Sequence, residues 1–227
     1  MRIGVLLGVF SACFIPLQAG VIVGTADVGS GNVFPFGGTS GGIGTVYQQV
    51  YAASDFSGTI DITSISFFRT QFGSASDTVT DATYTIKLSY SANGVNALDG
   101  TTFSNNVGAG QVTFGTYVFS GVTAGSGITF VQNNSDFVYN PATGPLLLEI
   151  DLSGIGTRGT SVIDAMGADA GGVFSRAQNF NAVTSFNSNY GLVTGFDVSS
   201  VPEPATVTLS GAGLLGLAFL RLRKRSA

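Results

Sequence analysis

The stretch "TYTIKLSY", residues 83–90, sets the period of this chain. Tyr84, Ile86, Leu88 and Tyr90 alternate with Thr83, Thr85, Lys87 and Ser89, and a period of two puts every large side chain on one face. That is the pattern of an antiparallel strand with one face in a core and the other toward water. Working outward, "GTVYQQVYA" (44–52), "TIDITSISFF" (59–68), "QVTFGTYVFSG" (111–121), "GITFVQ" (127–132), "PLLLEIDLS" (145–153) and "LVTGFDVSS" (192–200) read as further strands. Turn-rich segments such as "SANGVNALDG" (91–100) and "NPATGP" (140–145) separate them. No fixed-period repeat and no helical pattern of any length interrupts the series. The expected fold is all-β: an antiparallel β-sandwich, jelly-roll-like, occupying residues 20–200.

Composition supports strands joined by polar turns. Only 10% of the 227 residues are charged, and 33 are glycine. Cys13 is the sole cysteine, and histidine and tryptophan are absent. Without an imidazole, His-based triads, Cys–His nucleophiles and the usual His/Cys zinc sites are excluded. With a single cysteine, a domain of this kind must hold together by packing and turns, without internal disulfides. Every acid except Glu203 lies in the middle of the chain, accompanied there by only Arg69, Lys87, Arg158 and Arg176. So acidic a domain offers no basic groove, and no nucleic-acid partner is expected.

The long apolar runs lie at the two ends. "MRIGVLLGVFSACFIPLQAG" has Arg2, an apolar run to Ile15, Pro16, and small residues at Ala19 and Gly20, which is the layout of a secretory signal peptide over 1–19 cut after Ala19. Leu17, three residues before that cut, is a poorer fit than alanine. An alternative takes "FSAC" as a lipidation box acylated at Cys13, against which stand Phe10 and the short run before it. At the other end, residues 205–222 form an apolar stretch somewhat shorter than a comfortable bilayer span, followed by the basic cluster Arg221, Arg223, Lys224 and Arg225. Long cationic stems reach lipid phosphates and stay cytoplasmic, which puts the preceding domain on the outer side. Ahead of this stretch, Val201, Pro202, Glu203 and Pro204 hold the backbone extended and outside any helix.

The three-part order, "VPEP", then "GAGLLGLAFL", then "RLRKR", resembles the PEP-CTERM sorting signal of Gram-negative bacteria over 201–227. The resemblance implies recognition by an exosortase, a multispan membrane protease, with cleavage near Pro202, Glu203 and Pro204. It further implies a transient stay in the inner membrane on a transmembrane helix, then delivery to the cell surface or extracellular matrix. More loosely, "YQQVYAASDFSGTIDITSISF", "FSNNVGAGQVTF", "FVYNPATGPLLLEIDLSG" and "YGLVTGFDV" resemble domains of proteins that carry this tail, whose biochemistry is largely unassigned.

Candidate chemistry in the domain is sparse. Glu149 and Asp151 in "LLLEIDLSG" share one strand face and are similar to the E-I/L/V-D-x-x-E motif of a family of retaining β-glucanases. Leu152, Ser153 and Gly154 follow without the motif's final glutamate, so the second catalytic carboxylate is missing. Asp77 with Asp81, and Asp164 with Asp169, offer a weaker calcium reading near turns, without the dense spacing of a calcium loop. No other cofactor is expected. Polar loops at "NNSD" (133–136) and "NFNAVTSFNSN" (179–189) suit hydrogen bonding to sugars. Two function classes follow. The chain is read as a non-enzymatic structural, adhesive or glycan-associated component of biofilm or exopolysaccharide, with a secreted carbohydrate-active enzyme as the alternative.

Overall fold

The computed structural model describes residues 20–25, 30–38, 44–69, 74, 76–166, 172–180 and 184–200. The expected signal peptide 1–19 with its cut after Ala19, the Val201–Pro204 motif, the stretch 205–222, the basic cluster and Asp169 lie outside the described residues. Among the described residues no helix is long and apolar enough to cross a membrane.

Among the described residues, all regular structure apart from two short 3-10 turns is strand. In chain order the strands are β1 (Val21–Val23), β2 (Ser30–Asn32), β3 (Val46–Tyr51), β4 (Ile60–Phe68), β5 (Ala82–Tyr90), β6 (Val112–Phe119) and β7 (Gly127–Val131). They continue as β8 (Val138–Tyr139), β9 (Leu146–Ser153), β10 (Ile163–Met166), β11 (Phe174–Phe180), β12 (Thr184–Ser188), β13 (Gly191–Leu192) and β14 (Thr194–Ser200). Each of the seven sequence-read strands coincides with one of these, within two residues at either end.

The larger sheet runs β12-β11-β3-β9-β5-β6, antiparallel throughout. Register lines up its apolar positions across the strands: Tyr47 of β3 faces Ile150 of β9, which faces Ile86 of β5. These residues and Tyr84, Leu88, Leu148 and Leu152 enter one core. A second sheet runs β1-β14-β4-β7, with β8 also beside β4. Aromatic rings join the two layers: Tyr51 of β3 meets Phe196 of β14 at 5.1 Å, and Tyr84 of β5 meets Phe130 of β7 at 6.2 Å. Phe36 sits between them, 5.8 Å from Tyr84 and 5.0 Å from Phe67. Such edge and offset pairings contribute about 0.5–1.5 kcal/mol each beyond area burial. A small sheet, β13-β10-β2, adds Ile163, Ala165 and Leu192 to the same core.

Two departures from simple alternation have local causes. Ile60, Ile62, Ile65 and Phe67 are buried with spacings of two, three and two, so the inward phase of β4 slips between Ser64 and Ile65. There its neighbour changes: β8 pairs with Ile60 and Asp61, while β7 pairs from Ser64 onward. The run Leu146–Leu147–Leu148 in β9 is apolar without alternation because both faces of that strand are covered. Leu147 faces away from the main core and packs with Val50, Ala177 and Leu98 in a second cluster, roofed by Val95, Phe103 and Val107 from the β5–β6 connection.

Candidate functional site

The outer face of the larger sheet carries the carboxylates singled out by sequence. Glu149 and Asp151 both project there, and Lys87 of β5 lies between them, its Nζ 2.9 Å from Glu149 Oε1 and 2.5 Å from Asp151 Oδ2. Glu149 Oε2 also accepts from Gln48 Nε2 at 2.5 Å. Gln48 Oε1 accepts from Asn106 Nδ2 at 2.8 Å, and Gln48 Nε2 donates to the Phe103 carbonyl at 3.1 Å. Asn106, fully buried, also donates to the Asp99 carbonyl and accepts from the Asp99 N–H. A continuous polar chain thus runs from Lys87 to the β5–β6 connection and holds that segment on the sheet. Burial opposes charge on Lys87, but hydrogen bonds to Asp151 and Glu149 outweigh it and raise its pKa. Burial raises the pKa of Asp151, against the pull of Lys87. Here the two carboxylates share a cation and anchor a loop. Ser153, at the end of β9, is exposed and opposite Thr83.

Of the carboxylates of the calcium reading, Asp77 and Asp81 are engaged separately. Asp77 Oδ2 accepts from the Ser74 N–H at 2.7 Å and from Arg69 Nη2 at 2.6 Å, and Oδ1 accepts from Thr160 Oγ1. Those bonds, that from Ser74 foremost, lower its pKa. Arg69 also donates to the Gly125 carbonyl, so this cluster ties three turns together. Asp81 accepts from the Gly121 N–H at 2.7 Å. Asp164 is buried in β10. No group of three or more potential ligands gathers among the described residues.

Most of the described polar loop residues have structural work. Asn133 pairs like a strand residue with Thr116, accepting from its N–H and donating to its carbonyl, both at 3.0 Å. The N–H groups of Asn133, Asn134 and Ser135 reach the carbonyls of Phe114 and Thr113. The edge of β6 is thereby covered against further strand pairing. Gly115 is required there, since a β-carbon would stand 2.1 Å from the Tyr117 hydroxyl and 2.7 Å from Asn133 Oδ1. Asn179 Oδ1 accepts from the N–H groups of Thr45 and Val46.

A cavity of about 220 Å³ opens among Asn96, Leu98, Ser175, Ser188 and Asn189. Its polar groups are amides and hydroxyls, with one apolar side chain. Asn96 has φ +64°, and its N–H donates to Ser175 Oγ at 2.7 Å, which fixes the wall. Beside it, the Arg176 guanidinium stacks 4.4 Å from the Tyr190 ring centroid and donates to Ser188 Oγ. Ser188 and Asn189 belong to the polar stretch 179–189 that the sequence singled out, and Asn96 does not. The left-handed conformation that an asparagine tolerates best is its only local signal.

Strand β14 leads to the C-terminal motif and pairs with β1 near the start of the described chain. No curated protein and no solved structure matches the chain. Residues 200–224 match the family model of the PEP-CTERM protein-sorting motif. This chain therefore carries a PEP-CTERM sorting signal directly after β14, which implies export, sorting to the cell surface and processing by exosortase.

Proposed function

We propose that the strand domain is a structural or adhesive component of the extracellular matrix, in contact with exopolysaccharide once the sorting tail has been processed at Pro202, Glu203 and Pro204. The observation that carries this reading is the match over 200–224, which gives the domain a surface destination. The neutral cavity around Asn96 and Ser175 supports a hydroxylated, uncharged ligand, because an acidic domain repels anions and amides hydrogen-bond sugars without charge. On this reading the stretch 205–222 and the cluster Arg221, Arg223, Lys224 and Arg225 hold the precursor in the inner membrane. The scaffold is read as jelly-roll-like, supported by successive strands crossing between the sheets: β3 to β4, β4 to β5, β6 to β7 and β8 to β9.

The test compares the native chain with Pro202→Ala/Pro204→Ala in an exosortase-bearing host. The native protein is expected at the surface or in the medium, shortened near Pro-Glu-Pro by intact mass, with the variant full-length in the membrane fraction. Retention of Arg225 in both would overturn the processing step. Exported protein is then incubated with matrix polysaccharide. Retention that weakens in Asn96→Ala supports the glycan reading, whereas release of new reducing ends would favour a carbohydrate-active enzyme.

A further inference from the structure

Removal of a signal peptide after Ala19 consumes one water. The Ala19–Gly20 bond breaks, leaving a carboxylate on Ala19 and an ammonium on Gly20. The residue that gains this charge is already placed. The pairing Val21↔Phe196 sets Gly20 opposite Asp197 in the antiparallel register. A β-carbon on Gly20 would stand 3.1 Å from Asp197 Oδ1 and 3.1 Å from the Phe196 carbonyl oxygen, so the carboxylate lies against the Gly20 main chain. Asp197 Oδ2 accepts from Ser64 Oγ at 2.5 Å, which orients the group. Asp197 belongs to none of the ion pairs among the described residues.

We propose that Asp197 receives the α-ammonium of Gly20 after signal cleavage, forming a clasp that exists only in the processed protein. This rests on the signal-peptide reading of residues 1–19 and is independent of any role in the matrix. In the precursor the same nitrogen is a neutral amide. Strand β1 has only three residues and leaves Ile22 58% exposed, so an anchor at its first residue decides whether it frays from β14. Because β14 continues to Ser200, N-terminal processing steadies the strand from which the sorting motif departs. Position 20 suits glycine, since a side chain there crowds both Asp197 and the Phe196 carbonyl. Asp61 is the only other ionisable side chain on β1, β14 or β4. Its Oδ2 accepts from Ser199 Oγ at 3.0 Å, farther along β14.

The experiment uses the exported protein, first weighed intact to locate its N-terminus. The rate of acylation of its terminal amine by an amine-reactive ester is then followed from about pH 6 to about pH 10. Asp197→Asn, which keeps an acceptor for Ser64, and a chain retaining Ala19 ahead of Gly20 are treated alike. The clasp predicts a native amine titrating above the ordinary range of about 7.7–8.0, and acylation near pH 8 about three- to ten-fold slower than in either variant. Equal rates in all three, with a mass that begins at Gly20, overturn the clasp and leave the signal reading standing. A mass that begins elsewhere overturns both.

Discussion

The two faces of the larger sheet are built on different physics. Its inner face meets the second sheet through rings and branched aliphatic side chains, a large continuous core. Its outer face is covered by the β5–β6 connection, where four buried apolar residues sit beside the chain Lys87–Glu149–Gln48–Asn106. Stability on the inner face scales with area removed from water. On the outer face, hydrogen bonds with strict partners select one position for a loop, because each leaves a costly unsatisfied group when broken.

Neighbouring leucines offer the sharpest break of this comparison. Leu147 and Leu148 are both 0% exposed, and consecutive residues of β9 point to opposite faces. Leu148→Ala is expected to lose about 3–5 kcal/mol in urea unfolding, because the packed inner core cannot close the cavity. Leu147→Ala should lose less, about 2–3 kcal/mol, since the covering loop can settle into the space. Equal losses would mean that the outer cover is as rigid as the core.

Next in size is Lys87→Met. It leaves Glu149 and Asp151 without their shared cation, with side chains 10% and 31% exposed. A loss of about 1–2 kcal/mol is expected, below that of a fully buried pair because water screens Asp151. If the carboxylates were instead catalytic, stability would hardly change. The same variant should lose its alkaline sensitivity: with a raised pKa, Lys87 stabilises below its ordinary value and the contribution disappears as pH rises through the folded value.

The smallest effect separates the faces by acid. Asp99 caps the loop, accepting from the Thr101 hydroxyl and N–H, the Thr102 N–H and Asn105 Nδ2, and these bonds hold its pKa well below the carboxylate range. A depressed pKa stabilises above the ordinary value and is lost as pH falls through the folded one. Asp99→Asn should therefore melt lower than the native protein near neutrality, with the gap closing in acid. On the inner face, burial raises the pKa of Tyr47 and Tyr51, which stay neutral over that range.

Legibility followed the same division. Strands whose apolar residues alternate, such as β5 and β7, could be read directly, because a face turned toward water preserves the period of two. Strand β11, "FSRAQNF", could not. Arg176 and Gln178 share the inner face with Phe174, as the register to Gln49, Tyr47 and Tyr51 shows. Buried polar residues carry no apolar signature, and the groups that bond them lie far away in sequence. Gln49 illustrates this, bonding both the N–H and the carbonyl of Leu192. The carboxylates of Glu149 and Asp151 were legible as a pair on one face, and their engagement with Lys87 was not.

By itself the sequence determined the all-β class, the acidic and histidine-free chemistry, and the tail with its Pro-Glu-Pro element. Each of these is written in residue type or in spacing along the chain. Tertiary structure decided which polar groups meet: Lys87 with two carboxylates, Asn133 with the edge of β6, and Gly20 with Asp197. Those meetings depend on strand register and on chain segments far apart in sequence, where local periodicity carries no information.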